Sequence, residues 1–251
     1  MTNMKPSVDT KILIPMAGLG SRFSKAGYED PKPFISVNGK PMIHQVMANL
    51  WIEGASFILV CREEHIDQYQ HVFDELRTSF DVNVVTIESL TEGTAITVLA
   101  AHRLLETAEN LVVANSDQII YGGISEFVHN AIGRKVSGSI LCFKDQDRNP
   151  KWSFARVDDS GAVVEVREKE PISDLATVGV YYFRTGREYI QATNDMIVKN
   201  ERVNGEFYTC PVYNHLIAAG GKVVTYVIPE SSMWGIGTPE DLNRYLDNNV
   251  G

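Results

Sequence analysis

The chain has 251 residues and a formal net charge of -9 at pH 7, and 44% of its residues are hydrophobic. This length and apolar content suffice for one large α/β domain with a sizeable core. The acidic balance argues against a nucleic acid or an anionic membrane as the main partner, because phosphate-rich surfaces attract positive fields. Residues 1–10 lack the apolar core of a signal peptide, and no run approaches the roughly 20 apolar residues of a membrane span, which predicts a cytoplasmic protein.

A short apolar run at residues 11–16, KILIPM, predicts a buried strand. The loop that follows at residues 17–20, AGLG, has no β-carbon at its two glycines, so its backbone N–H groups can approach phosphate oxygens closely. Arg22, and Lys32 between two prolines, add positive charges at the same strand end. The combination predicts a site for a triphosphate, whereas the glycine loop alone would also suit an ordinary strand-to-helix turn.

Two common phosphate motifs do not fit this stretch. The dinucleotide fingerprint needs a third glycine where the chain has Phe23. A Walker loop ahead of Gly39 and Lys40 would need a glycine at Phe34 and a serine or threonine at Pro41.

Strand-like and helix-like segments alternate through the first half of the chain, which predicts a mostly parallel sheet with helices on both faces. Further strands are expected at residues 57–60, 82–87 and 111–114, and helices at 41–51, 66–76 and 96–105. Ligands bind at the carboxyl ends of the strands in such sheets. Gly93 permits close backbone approach there, and Thr94 is a candidate helix cap. Asp117 follows its strand as either a turn residue or a ligand for Mg²⁺ on triphosphate oxygens.

The second half is richer in strands. They are expected at residues 139–143, 154–157, 163–166, 177–183 and 222–228, with a hairpin turn at 158–161. Helices are expected at 184–200, with Thr185 as a cap, at 206–219, interrupted at Pro211, and from Pro239, with Thr238 as a cap. Three widely spaced cysteines without a C-x-x-C pair are expected to be buried free thiols.

The motifs resemble those of the sugar-phosphate nucleotidyltransferases, the nucleotide-sugar pyrophosphorylases. In chain order they are G-x-G-x-R leading into P-K-P and G-K-P, G-T-A at Gly93, Asp117 after its strand, the Glu168-Lys169 pair, and G-T-P-E-x-L near the end. The resemblance covers residues 11 to about 246. It implies a three-layer α/β/α Rossmann-like nucleotidyltransferase fold with a mixed, mostly parallel central sheet. It also implies a single domain over residues 1–251, divided into a nucleotide-binding half, about 10–136, and an acceptor-binding half, about 137–251.

The activity implied by the resemblance is transfer of a nucleoside monophosphate from a triphosphate to a sugar 1-phosphate, with release of pyrophosphate. The product would be a nucleotide-activated precursor for surface polysaccharide synthesis. Arg22 is expected to bind the β and γ phosphates, Lys32 the α-phosphate and the attacking oxygen, and Asp117 the cofactor Mg²⁺. The expected partners are a nucleoside triphosphate and a phosphorylated small molecule, and association of identical copies is left open.

The resemblance also implies further binding residues. For the nucleotide they are Met16, Ala17, Gly18, Gly20, Ser21, Glu88, Gly93, Thr94 and Ser116. For the acceptor they are Trp152, Ser153, Glu168, Lys169 and Gly179.

Three positions depart from the family pattern. Glu88 stands near the place of a glutamine that contacts the base, and because a carboxylate only accepts hydrogen bonds, cytosine or guanine is favoured. Ser153 replaces a glycine in the acceptor pocket. Gly235 lies closest to the place of a second metal-binding aspartate, so Asp117 and the triphosphate are expected to hold Mg²⁺ without it. Two alternatives stay open: a cytidylyltransferase for a non-sugar phosphate, and a catalytically lapsed regulatory relative that binds nucleotide.

Overall fold

The structure is a computed structural model, and it describes residues 9–248. The strands are β1 Thr10–Pro15, β2 Ser36–Val37, β3 Lys40–Pro41, β4 Ala55–Arg62, β5 Val82–Ile87, β6 Asn110–Ala114, β7 Gln118–Ile120, β8 Gly138–Lys144, β9 Ser153–Val157, β10 Val163–Glu168, β11 Leu175–Phe183, β12 Val223–Val227 and β13 Met233–Gly235. The helices are α1 Ser21–Lys25, α2 Met42–Leu50, α3 Glu63–Gln68, α4 Gln70–Ser79, α5 Thr94–Leu99, α6 His102–Leu105, α7 Ile124–Gly133, α8 Gly186–Val198, α9 Val212–Ala218 and α10 Pro239–Asn248. Single 3₁₀ turns lie at Lys32–Phe34 and Glu230–Ser232.

Nine of the strands within residues 9–248 form the central sheet. Strand β1 pairs in parallel with β4 and β6, and β4 pairs in parallel with β5. Strand β11 runs antiparallel to β6 and to β8, while β12 is parallel to β8. The predicted mixed, mostly parallel sheet is confirmed.

The sheet forks along β11. On one edge of β11, Val180 and the residues after it pair with β6, whereas Ala176 pairs with Phe154 of β9. The other edge pairs with β8, with a register shift between Thr177 and Tyr181. Strand β11 therefore connects β6, from the first half of the chain, with β8 and β9 of the second half.

Two helical layers enclose the sheet. Along β1, Ile12 and Ile14 belong to the core under α2, α4 and α7, while Leu13 belongs to the core under α5, α8 and α9. All three side chains are buried. A parallel strand covered on both faces has no polar side, which is why this segment reads as a continuous apolar run. The three-layer arrangement is confirmed.

The predicted helices require three corrections. The segment expected at residues 96–105 forms two helices, α5 and α6, and the segment at 66–76 forms α3 and α4. Of the segment at 206–219, only Val212–Ala218 is helical, because Phe207 gives both of its main-chain groups to the loop around Gly93. Strands β7 and β13 were not predicted; they pair with each other outside the central sheet.

The predicted caps are confirmed at two of three sites. Thr185 Oγ1 accepts a hydrogen bond from Glu188 N at 3.2 Å, and Thr238 Oγ1 accepts one from Asp241 N at 3.1 Å. Thr94 is not a cap: it is the first residue of α5, and its hydroxyl accepts from Thr209 N instead.

Cys61, Cys142 and Cys210 are buried and free, as predicted. Burial raises the pKa of the Cys61 thiol to about 12, so this group remains protonated at neutral pH. Across residues 9–248, no helix has the length and apolar character that a bilayer span requires.

Candidate active site

A cleft of about 630 Å³ opens where β1 and β6 end, and it continues past β9, β10 and β11. This volume lies within the usual range for small-molecule sites, about 300–1,000 Å³. Every residue predicted for the site lines the cleft except Glu88. The lining residues among them are Met16, Ala17, Gly18, Gly20, Ser21, Arg22, Lys32, Gly93, Thr94, Ser116, Asp117, Trp152, Ser153, Glu168, Lys169 and Gly179.

The glycine loop and the turn that carries Lys32 lie against each other. Gly20 is left-handed, with φ 61°, and a β-carbon on it would lie 2.9 Å from Lys32 Cβ. Gly18 has no atom within 4 Å of the place where its β-carbon would stand, so its backbone faces open space in the cleft. The turn Lys32–Phe34 is packed against the protein by Phe34, whose ring stacks on that of Tyr69 at a centroid distance of 4.0 Å. Lys32 is thus presented by a packed turn.

Lys32 and Asp117 form an ion pair across the floor of the cleft. The distance from Lys32 Nζ to Asp117 Oδ2 is 2.8 Å, and the two side chains are 21% and 24% exposed. The carboxylate is backed by Gly237, where a β-carbon would lie 2.9 Å from Asp117 Cγ. A predicted phosphate ligand and a predicted metal ligand are therefore in direct contact.

This arrangement fits a hydrated magnesium ion. Among residues 9–248, no group of three or more His, Cys, Asp or Glu side chains gathers to hold a metal. Mg²⁺ commonly uses one or two carboxylates, with water and phosphate oxygens completing its shell. Asp117 supplies a hard oxygen donor, and the ammonium group on Oδ2 shows that a cation can sit there.

Another wall of the cleft comes from the end of β13 and the segment after it, whose place in the cleft the sequence did not predict. Gly235, Gly237, Thr238 and Asp241 all line the cleft. The place where a β-carbon of residue 235 would stand is 4.0 Å from Asp241 Oδ2. The helix-start pattern explains the cap at Thr238, but it gives no signal that Asp241 lines the same cleft as Asp117.

The wall opposite Lys32 is formed by the loop around Gly93. A β-carbon on Gly93, whose φ is 123°, would lie 2.6 Å from Phe207 N, so only glycine allows this contact. Two exposed apolar side chains, Leu19 and Leu90, line the cleft near this wall. Glu88 is exposed just beyond the end of β5, which is the edge strand of the sheet, and it lies outside the lining. The geometric basis for a base preference through Glu88 is therefore missing.

Glu168 and Lys169 form the acceptor end of the cleft. Ser153 Oγ donates a hydrogen bond to Glu168 Oε2, and burial raises the pKa of the Glu168 carboxyl above its ordinary value of 4.5. Lys169 Nζ donates to Tyr208 Oη at 2.8 Å and lies 4.5 Å from the centroid of the same ring. Tyr208 was not predicted, because its segment was interpreted as helix.

Gly179 gives the acceptor end a bare stretch of backbone. Its φ is 85°, and a β-carbon on it would lie 2.5 Å from Gln118 Oε1. Gln118 is 7% exposed and lines the cleft. Its Oε1 has no hydrogen-bond partner among the described residues. A buried unpaired oxygen is costly, so this oxygen is available to a donor that enters the cleft, either water or a ligand.

The fold and the cleft define a Rossmann-like α/β protein with its cleft at the carboxyl ends of the strands, which is where ligands bind in such folds. Residues 11–246 match the model of the nucleotidyl transferase family. The chain therefore belongs to the nucleotidyl transferase family.

The chain resembles curated proteins and solved structures of nucleotidyltransferases. Glucose-1-phosphate thymidylyltransferase from Streptomyces antibioticus is 28% identical over 223 residues, which are 87% of this chain and 60% of that protein. 2-Aminoethylphosphonate cytidylyltransferase from Lancefieldella rimae is 31% identical over 179 residues, which are 69% of this chain and 67% of that protein. The chain thus spans about two thirds or less of the length of these relatives.

Among solved structures, the nucleoside-diphosphate-sugar pyrophosphorylase from Vibrio cholerae RC9 superposes with a TM-score of 0.80 at 25% identity. The superposition covers 94% of this chain and 99% of the Vibrio cholerae chain. The inositol-1-phosphate CTP transferase from T. maritima superposes with a TM-score of 0.75 at 17% identity. This superposition covers 99% of this chain and 100% of the T. maritima chain, and it shows a similarity of fold.

Proposed function

We propose that the protein is a nucleotidyltransferase that transfers a nucleoside monophosphate from a nucleoside triphosphate to a sugar 1-phosphate. An oxygen of the acceptor phosphate attacks the α-phosphorus, the bond from that phosphorus to the bridging oxygen breaks, and pyrophosphate leaves. The observation that carries the proposal is one continuous cleft with Arg22, Lys32 and Asp117 at one end and Glu168 and Lys169 at the other.

Positioning and charge neutralisation suffice for this chemistry, and no protein nucleophile is required. Lys32 is suited to the α-phosphate and the attacking oxygen, where its ammonium group can neutralise the developing charge. Arg22, exposed on α1 beside the glycine loop, is suited to the β and γ phosphates and to pyrophosphate. Asp117 would hold Mg²⁺, which supplies charge neutralisation on the triphosphate.

The acceptor end offers hydrogen-bond acceptors to the body of the acceptor and a cation to its phosphate. Glu168 and the unpaired Oε1 of Gln118 can accept hydrogen bonds from sugar hydroxyl groups. Lys169 can bind the phosphate. Its ammonium group is held by Tyr208, so less side-chain freedom is lost on binding.

A non-sugar acceptor is the second candidate. The relative from Lancefieldella rimae is named for an aminoethylphosphonate acceptor and for cytidylyl transfer. The same acceptor end suits an ammonium group, because Glu168 and the Oε1 of Gln118 accept hydrogen bonds and Glu206, a further carboxylate, lines the cleft. With either acceptor, the nucleotide base would contact the part of the cleft formed by Gly93, Thr94 and the two exposed leucines. Glu88 lies outside this part of the cleft.

The wider proposal is that the product is an activated precursor for surface polysaccharide, made in the cytoplasm. Pyrophosphate release tests the activity directly. The protein is mixed with Mg²⁺, each of CTP, GTP, UTP and dTTP, and each of glucose 1-phosphate, inositol 1-phosphate and 2-aminoethylphosphonate. Mass spectrometry then identifies the conjugate.

Release with a sugar 1-phosphate supports the first candidate, and release with only the phosphonate supports the second. Lys169→Ala should raise KM for the acceptor by about 10-fold or more, the usual cost of losing a charged hydrogen bond. The matched control is Lys151→Ala, which removes an exposed cleft lysine that lies over Trp152. Nucleotide binding without pyrophosphate release for any pair would favour the lapsed regulatory relative.

A further inference from the structure

The end of the cleft beside Asp117 holds a second carboxylate, that of Asp241. The chain reaches it through Gly235, Ile236 and Gly237, of which Ile236 is buried in the core while both glycines line the cleft. The two glycines therefore expose bare backbone to the cleft at neighbouring points.

Each of the two glycines lies beneath one carboxylate. A β-carbon on Gly237 would lie 2.9 Å from Asp117 Cγ, and one on Gly235 would lie 4.0 Å from Asp241 Oδ2. Both carboxylates therefore lie against one three-residue stretch and line the same cleft. A coordinated water extends the reach of a hydrated cation beyond its ligand distance of about 2 Å, so such a cation can contact carboxylates that are not in contact with each other.

The two carboxylates at this end of the cleft, with a bound triphosphate, would favour a cation between them. Lys32 contacts Asp117 Oδ2, and the guanidinium group of Arg244 contacts Asp241 through the other oxygen, Oδ1, at 3.4 Å. When a triphosphate draws Lys32 towards its phosphates, Asp117 and Asp241 share a pocket with further negative charge. Like charges that share a cleft repel each other, and a cation between them removes that repulsion. The unpaired Oε1 of Gln118, on the strand that pairs with Gly235, lines the same cleft and can accept a hydrogen bond from a water of that cation.

We propose that Asp241 is the second carboxylate that holds the divalent cation of the nucleotide complex, together with Asp117. This proposal rests on the proposed function, because the triphosphate supplies the remaining oxygens. It revises the expectation that Asp117 acts without another carboxylate, and it assigns a role to a residue six positions after Gly235.

The test measures metal binding without turnover. Mn²⁺ is titrated into the protein with each of CTP, GTP, UTP and dTTP, in the absence of acceptor, and free Mn²⁺ is read by electron paramagnetic resonance. Asp241→Asn keeps the side-chain size and the main-chain hydrogen bond to Thr238. Its matched control is Glu240→Gln, which removes one negative charge from the same turn of α10 at an exposed position.

Asp241→Asn is expected to weaken Mn²⁺ binding to the nucleotide complex by 10-fold or more, while Glu240→Gln changes it less than twofold. Adding Gly235→Asp to Asp241→Asn is expected to restore binding to within about threefold. This rescue separates metal binding from a structural effect on the helix, since residue 235 lies outside α10.

Equal affinities for Asp241→Asn and Glu240→Gln would overturn the proposal. So would a loss that Gly235→Asp does not restore, or a wild-type Mn²⁺ affinity that none of the nucleotides raises. Failure of the proposed function looks different, because pyrophosphate release would then be absent while nucleotide-dependent Mn²⁺ binding and its dependence on Asp241 persist.

Discussion

His65 makes the turn that carries Lys32 sensitive to acid. The histidine is buried, and its ring meets Phe34 of that turn edge-on at a centroid distance of 5.2 Å. Arg62 Nη2 lies 3.0 Å from His65 Nε2. A guanidinium group can only donate, so Nε2 accepts and the proton of the neutral ring is on Nδ1. Burial, and then the positive charge of Arg62, lower the pKa of His65 from 6.5 to about 4.

The sign of the effect follows from proton linkage. Between pH 6.5 and about 4 the unfolded chain protonates this histidine and the folded protein does not. The contribution of His65 to the free energy of unfolding is therefore fully present above pH 6.5, and it decreases as the pH falls through this range. At about 1.4 kcal/mol for each pKa unit, the full loss is about 3 kcal/mol, and the loss between pH 7.5 and 5.0 is about 2 kcal/mol. For a chain of this size, that corresponds to a Tm lower by about 4–8 °C.

Thermal melting at pH 7.5 and 5.0 measures this contribution. His65→Gln keeps an acceptor for Arg62 but cannot take up a proton, so its acid-induced decrease in Tm should be smaller than that of wild type by about 4–8 °C. His102→Gln, at an exposed position, is the control and should behave as wild type. The reasoning is wrong if wild type and His65→Gln lose the same number of degrees.

Three further outcomes are expected. Lys32→Ala and Arg22→Ala should each lower kcat about 10²–10³-fold with unchanged melting, because both remove charge stabilisation from a polar loop; losses of tenfold or less would remove them from the catalytic residues. The raised pKa of Glu168 should make KM for the acceptor rise as the pH falls towards that pKa, and a Glu168→Gln profile of the same shape would contradict this. Gly179→Ala should cost about 1–3 kcal/mol more in urea unfolding than Gly161→Ala, since both have positive φ but only Gly179 meets other atoms within 4 Å; equal costs would refute the contact argument.

The sheet and the glycine loop could be predicted because local pattern and tertiary position agree there. The continuous apolar run at Ile12, Leu13 and Ile14 predicts a strand that is covered on both faces, and the sheet buries it in that way. Arg22 and Lys32 line the cleft as predicted for a similar reason, since both lie on the segment that joins the carboxyl end of β1 to β2.

Elsewhere, long-range contacts override the local pattern. The segment before Val212 has helical spacing, but Phe207 gives its main-chain hydrogen bonds to the loop at Gly93. Glu88 follows a strand end as expected, yet β5 is the edge strand, and the chain enters the lining of the cleft only at Leu90, two residues later. The position of Asp241 depends on the pairing of β13 with β7, and three-residue strands carry too few residues to show a period.

That pairing also sets when the cleft is completed during synthesis. Gly235 pairs with Gln118, so the wall that carries Asp241 is translated later than the strand on which it depends. Strands β1, β4, β5 and β6, with the glycine loop and Lys32, emerge far earlier and can pair among themselves. A chain stalled before Met233 would contain the glycine loop and Asp117 but not the wall that Gly235, Gly237 and Asp241 form. A ligand that needs both sides of the cleft can therefore bind the nascent chain only after β13 has been made and has paired with β7.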